Sequence, residues 1–437
     1  MDVLVMVAQL LLGLSILVGL HEAGHMLAAK MFGMRVEKFS IGFPPKLFGF
    51  KKGETEYSLG AIPLGGFVKI SGMIDESLDT QSMGQEPQPW EFRAKPAWQR
   101  LIVMMGGIIV NVITGIIIFI CLLYVYGQQY YRMEDVNQRG IVAYELAQEI
   151  GLKTGDKIIS VNGRPVEKFN EVTSPDVLLG SNSFYVIERN GEQIRIDIPN
   201  DFVGDLTEKD GEFIDPIYPF KVGKIKEGDN ADKAGLKEGD SIISVNGRSI
   251  SHFHELGEVL KSNKGKQVSM IVERSGEQVQ LTPQVDTTGK IGFYPDLLLK
   301  HSVETFGVGE SVVKGTEMAF SVIINNIKGL GKIFRGELNA SKSISGPIGI
   351  AQQFGTVWIW QKFWSLVGLL SMVLAFMNFL PIPALDGGHV MFLTYEIVSG
   401  RKPSDKFLEG AQKVGMVILL ALMVFAFGND IFKTWFK

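Results

Sequence analysis

His21-Glu22-Ala23-Gly24-His25 closes an apolar run that starts at Val3 and is broken by polar side chains only at Gln9 and Ser15. On one continuous helix, His21 and His25 project from the same face. Both imidazoles can then reach one metal ion, with Glu22 beside them to move a proton, which is the H-E-x-x-H pattern of a zinc site. Its setting sharpens the reading, because polar side chains at the end of a membrane-length run are costly and functional by default. The plainer alternative is two helix-end histidines reaching for the interface. It weakens once the far end of the chain is read.

Composition sets the frame around this stretch. A chain of 437 residues has room for two to four domains. Its 46% hydrophobic content points to membrane segments, while 21% charged residues require substantial soluble parts. A net charge of -4 and the lack of a basic repeat give no sign of a nucleic-acid partner. The single cysteine, Cys121, excludes intrachain disulfides and cysteine-cluster metal sites. The apolar start is not read as a cleaved signal peptide: it has no basic n-region, and cleavage would discard the metal motif.

Four stretches can span a bilayer, which takes roughly 20 apolar residues: about 3–29, 101–126, about 360–380 and about 414–427. His21 lies about 27 Å along the first from Val3, so the metal is expected near one membrane face. Ten Lys and Arg lie between the first two spans, from Lys30 to Arg100, and Arg401, Lys402, Lys406 and Lys413 between the last two. Both connections should therefore be cytoplasmic. Both termini and the large middle region then fall outside, with the active site near the cytoplasmic leaflet of a bacterial inner membrane.

Within the first connection, residues 55–71 read TEYSLGAIPLGGFVKIS, strand-like, with Pro63 and Gly65-Gly66 marking a turn or edge. Such a β-loop could dip into the membrane beside the metal and offer backbone groups to an extended peptide. A small cytosolic hairpin is the alternative. Residues 73–90 are polar and read as a flexible linker.

The middle region carries a repeat. GLKTGDKIISVNGR at 151–164 returns as GLKEGDSIISVNGR at 235–248, identical at twelve of fourteen positions and 84 residues on. That spacing suits one compact module per copy. The long string, with its Gly-Asp and Asn-Gly turns, resembles PDZ domains, which capture peptides by strand addition. Either the grooves take peptide C-termini or the pair acts as a steric filter. Beyond them, 312–334 has helical apolar spacing with Asn325, Asn326, Lys328 and Lys332, read as an amphipathic helix at the outer interface. Trp358, Trp360 and Trp364 form an aromatic belt at the entry to the third span.

The third span ends in NFLPIPALDGGH, residues 378–389. Pro381 and Pro383 must break the helix, and a break at membrane depth must be packed in protein or line a cavity. Asp386 is then an acid at the depth of His21. Two histidines and a carboxylate leave a fourth zinc position for water, and His389 is a rival third ligand.

With these pieces in place, the chain resembles the site-2 protease family of intramembrane zinc metalloproteases, in the sigma-E-regulating type with two PDZ domains between the second and third spans. The resemblance covers nearly the whole chain. It rests on 21–25 for HExxH, 378–387 for N-x-x-P-x-P-x-L-D-G, the repeated modules and the four spans. Gly107 and Asn111 have the spacing of the family's G-P-x-x-N element, with Ile108 where proline is usual. The family's membrane-dipping β-loop maps onto 55–71, and its Ser-Gly-Pro-Ile segment onto 345–348.

The resemblance implies zinc on His21, His25 and Asp386, with Glu22 as the catalytic acid/base. It implies substrate contacts from Asn378, Gly65, Gly66, Phe67, Val68, Pro381 and Pro383. The implied substrates are single-span membrane proteins, such as trimmed anti-sigma factors, or remnant signal peptides. The expected fold is a polytopic α-helical membrane protein with four transmembrane helices, a membrane-associated β-loop and two extracytoplasmic PDZ (α+β) domains. The divisions are 1–126, PDZ domains at 127–218 and 219–301, an interfacial helix region at 302–358, and the last two spans at 359–437. The lipid bilayer is the surrounding partner. Two rival classes remain: a non-catalytic PDZ scaffold, which needs neither Glu22 nor Asp386, and a zinc transporter, which wants ligands spread across the bilayer.

Overall fold

A computed structural model of the chain describes residues 2–73, 86–208, 213–299, 301–339 and 346–435. Residues 74–85, most of the expected polar linker, and Ser345 lie outside them. The chain divides into two compact units, Met1–Gly127 with Thr305–Lys437, and Gln128–Glu304.

In the first unit, four helices among the described residues are long and apolar enough to cross a membrane: Val3–Met31, Ala97–Tyr126, Trp360–Phe379 and Lys406–Phe432. The first belongs to helix α1 (Asp2–Met31) and the second is α2 (Ala97–Tyr126). α2 is the central strut. It packs against α1, the third span, a helix at Val308–Phe334 and a helix at Asp386–Ser399. Glycines make these approaches possible. A Cβ on Gly24 of α1 would stand 2.3 Å from the Gly106 carbonyl oxygen, and one on Gly106 would stand 2.6 Å from that of Gly24. At Gly115 a Cβ would meet Met372 Sδ of the third span at 2.4 Å. Such small-residue contacts carry helix association where lipid removes the hydrophobic driving force.

Several polar side chains buried in the spans are tied to defined partners, which a bilayer favours. Gln9 donates to the Gly355 carbonyl at 3.0 Å. Asp430 accepts from the amides of Gly346, Ile348 and Gly349 at 2.9, 2.9 and 3.0 Å, closing the N-terminus of the helix Pro347–Phe354. Arg100 meets Glu396 at 2.5 Å and so joins the start of α2 to the Asp386–Ser399 helix.

Between α1 and α2 lies a hairpin of two long bent strands, β1 (Val36–Lys52) and β2 (Thr55–Ile70). Each bends enough to contribute two limbs. Lys38 pairs with both Lys69 and Glu56, and Phe39 with both Val68 and Tyr57, so residues 36–41 lie between limbs 66–70 and 55–59. Limb 66–70 is thus an edge, with no further strand beside it among the described residues.

The second unit shows why the repeated string is repeated. Each copy ends in a strand of a four-stranded antiparallel sheet with the same order. In the first the order is Arg164–Pro165, Lys157–Val161, Phe184–Arg189, Glu192–Asp197. In the second it is Arg248–Ser249, Ser241–Val245, Met270–Arg274, Glu277–Leu281. The string's Asp accepts the amide three residues back, Lys153 to Asp156 and Lys237 to Asp240, at 2.7 and 2.8 Å. A sheet arginine then grips the same carboxylate, Arg189 on Asp156 and Arg274 on Asp240. Asn162 and Asn246 occupy left-handed backbone at φ 51° and 50°, which Asn tolerates. Ile158 and Ile242 are buried in the two cores, each contributing about 2 kcal/mol.

Burial pushes the Asp240 carboxyl up, but bonds from Arg274 and the Lys237 amide outweigh it and hold the group below the usual carboxylate range. A carboxyl held low in the folded chain stabilises it at neutral pH, and that contribution is lost as pH falls through the folded value. Asp240→Asn should therefore loosen the second module by about 1–3 kcal/mol at neutral pH. The expected readout is faster amide hydrogen exchange in Ser241–Val245 and Met270–Arg274, with the gap to wild type narrowing on acidification.

Candidate active site

α2 presents Val103, Gly107 and Asn111 at intervals of four, one stripe along its surface. α1 presents His21 and His25 in the same way, and the Gly24–Gly106 approach brings the two stripes together. His25 Nδ1 lies 2.8 Å from the Val103 carbonyl oxygen. A carbonyl only accepts, so Nδ1 carries the proton and Nε2 keeps its lone pair. That Nε2 lies 3.2 Å from His21 Nε2 and 3.3 Å from Asp386 Oδ2, and His21 Nε2 is 3.1 Å from the same oxygen.

His21 Nδ1 faces the Asn111 amide nitrogen at 3.0 Å, while buried Asn111 Oδ1 has no partner. Rotating that amide by 180° seats Oδ1 on a His21 Nδ1–H, satisfies the orphan and frees Nε2. Two imidazole lone pairs and a carboxylate oxygen then converge on one point. Their ligand atoms lie within 4.8 Å of one another, and Asp386 Oδ2 is buried without a hydrogen-bond donor. Mutually repelling electron pairs in such surroundings fit a cation, and two nitrogens and one oxygen suit zinc with an open position. Gly107 keeps the space clear: a Cβ there would lie 2.5 Å from His25 Nε2 and 2.7 Å from His21 Nδ1.

Asp386 reaches this point through the break after the third span. The helix Trp360–Phe379 stops before Pro381, and the next helix begins at Asp386. Ala384 takes left-handed backbone at φ 81°, a strain of about 1–2 kcal/mol for a residue with a Cβ. Gly387 and Gly388 let the loop fold back, since a Cβ at either would lie 2.1 or 2.6 Å from the Leu380 or Ile382 carbonyl oxygen.

These groups border a cavity of about 960 Å³. His21, Glu22, His25, Asp386, Asn378 and Gly65 to Val68 all line it. The Val68 amide faces the Glu22 carboxylate, and Gly66 sits where a Cβ would be 3.3 Å from Glu22 Cγ. Asn378 Nδ2 is 3.3 Å from His21 Nε2. Pro381 and Pro383 are not in the lining; they shape the break that delivers Asp386. His389 lines the cavity but is outside the converging ligand set. Gln412, on the fourth span, also lines it and was not among the expected residues. Its neighbours Glu409 and Lys413 make it look like part of a polar helix start.

The model of the family described as peptidase family M50 matches residues 9–422. A Haemophilus influenzae protein named regulator of sigma E protease is 30% identical over 97% of this chain and 98% of its own. An Escherichia coli protein, regulator of sigma-E protease RseP, is 27% identical over 97% of each chain. A Neisseria meningitidis relative, provisionally named a zinc metalloprotease, is 29% identical over 95% of this chain and 96% of its own.

Gly107→Ala tests the geometry. The added methyl must displace both imidazoles, so the purified variant should bind zinc at least about tenfold more weakly than wild type in a chelator-competition titration, the loss expected when a ligand's support is disturbed. Gly410→Ala, where a Cβ meets nothing within 4 Å, should bind zinc as wild type does.

Proposed function

The chain belongs to peptidase family M50 and is an intramembrane zinc metalloprotease; from that premise we propose that His21, His25 and Asp386 hold the zinc, that Glu22 carries the proton, and that the substrates are single-span membrane proteins. The observation that carries this is the convergence of three lone-pair donors beside Glu22, in a cavity bordered by an unpaired strand edge. When bound, zinc supplies Lewis acidity toward the scissile carbonyl and the attacking water. Val103 and Asn111 hold the two imidazoles in the tautomers that present Nε2. Glu22 takes a proton from the attacking water as the C–O bond forms. It returns that proton to the amine nitrogen as the C–N bond breaks.

A transmembrane helix has its backbone groups bonded internally, so it must unwind before attack. Limb 66–70 offers a strand edge to replace the bonds lost, with Asn378 close to the reacting centre. Exposed Leu47, Phe48 and Phe50 on the hairpin suit a loop set into the membrane. The two modules of the second unit are read as PDZ domains that admit trimmed substrates, a reading supported by their duplicated sheets and turns. Relatives named for sigma-E regulation extend the reading to anti-sigma-like substrates, and remnant signal peptides share the single-span character. A non-catalytic scaffold would need neither Glu22 nor the converging ligands.

Glu22→Gln should leave zinc content unchanged and lower cleavage of a single-span substrate by at least about a hundredfold. Cleavage near the wild-type rate would remove Glu22 from the chemistry. The reading also places the modules outside the cell and the hairpin inside, as the Lys and Arg flanks require. In a Cys121→Ala background, Glu238→Cys should react with an impermeant thiol reagent in intact cells, and Glu54→Cys only after lysis. The opposite pattern would invert the topology.

A further inference from the structure

Eight polar side chains of the four spans are buried: Gln9, His21, His25, Arg100, Asn111, Ser371, Gln412 and Asp430. Seven have protein partners described above or, for Ser371, the Asn111 carbonyl at 2.7 Å. Gln412 has none among the described residues, although it is only 5% exposed and lines the active-site cavity. Its amide is therefore a hydrogen-bonding group on the cavity wall, available to whatever occupies the cavity. Its placement is also constrained: three residues on, a Cβ at Gly415 would lie 1.6 Å from the Pro383 carbonyl oxygen. The fourth span is thus pressed onto the broken loop, on the helix face that carries Gln412.

The substrate supplies the missing partner. An extended strand points N–H and C=O groups toward both of its edges. Limb 66–70 can satisfy one edge; the other would face the cavity with its groups unbonded. The Asn378 amide sits beside His21 and so can serve only the groups next to the reacting centre. A glutamine amide is the matching group, since its oxygen accepts from a backbone N–H while its nitrogen donates to a backbone carbonyl. We propose that Gln412 is a substrate-positioning residue, hydrogen-bonding the backbone of the extended substrate along the edge that limb 66–70 leaves open. The proposal rests on the protease reading and adds a residue to it. Because backbone groups are recognised, the contact is indifferent to substrate side chains.

The test uses the full chain in detergent and begins with binding, which needs no turnover. In the Glu22→Gln background, a fluorescent extended apolar peptide is titrated by anisotropy. Adding Gln412→Met, which keeps side-chain length and removes the amide, should weaken binding about tenfold, the loss expected for one or two hydrogen bonds. Gln412→Glu, which keeps an acceptor, should fall between. In the active chain, Gln412→Met should raise KM for a single-span substrate with little change in kcat, and zinc content should match wild type. A substrate series with single backbone esters, each deleting one N–H, supplies the coupling measurement. One ester position should cost wild type about tenfold in KM and the variant nothing further. Unchanged peptide affinity, zinc loss in the variant, or equal ester effects in both chains would each overturn the role of Gln412. Failure of the wild-type chain to cleave any membrane span would instead overturn the protease reading, and the binding titration would still decide the role of Gln412.

Discussion

The contact on which the rest of the first unit depends is the approach of two helix backbones at Gly24 and Gly106, each within 2.6 Å or less of where the other's Cβ would be. At that separation, residues one turn away on each helix are forced into register. Val103 meets His25, Gly107 leaves room for both imidazoles, and Asn111 meets His21. A metal site asks for ligands fixed to a fraction of an ångström, and loops supply that poorly. Under the proposed assignment two ligands ride on one helix and their orienting partners on another, so the arrangement of the ligand atoms is inherited from helix packing.

Asp386, the third member of the set, comes from the opposite kind of structure. The third span has to stop, turn and restart at membrane depth, and each part of that turn carries a cost. Prolines remove amide donors, Ala384 is held in left-handed backbone, and Gly387, Gly388 and Gly415 are compelled by backbone contacts. Such strain persists only where its surroundings over-determine it. The surroundings here are α2, joined to the restarted helix through Arg100 and Glu396, and the fourth span pressed on Pro383.

How much of this was legible in the sequence follows the range of the interactions. The metal motif, the spans and the duplicated string are local patterns, and periodicity or identity reveals them directly. The helix after Asp386 is a different case: the Gly-Gly pair that opens it reads as a turn, and the Arg100–Glu396 bridge that secures it spans nearly three hundred residues. The Pro347–Phe354 helix is hidden for the same reason, since Asp430 caps it from the far end of the chain. The hairpin was expected as one strand-like stretch, 55–71, whereas residues 36–41 form its centre and turn 66–70 into an edge. No local signal in a bent strand says which limb ends outermost. Gln412 was invisible because its meaning lies in what it does not touch.

One rule ties architecture to chemistry in this chain. In a bilayer every polar group must find a partner within the protein, and the spans obey this at Gln9, Arg100, Asn111, Ser371 and Asp430. One cavity brings together Asp386 Oδ2, which has no hydrogen-bond donor, the edge of limb 66–70 and the Gln412 amide. A substrate span faces the same rule from the other side, because unwinding it exposes backbone groups that lipid cannot satisfy. Under the proposed roles of limb 66–70 and Gln412, the enzyme's groups and the substrate's are complementary only when the substrate is extended. On the proposed reading the cavity selects against an intact helix without needing to read its sequence, and the cost of burying polar groups becomes the source of specificity.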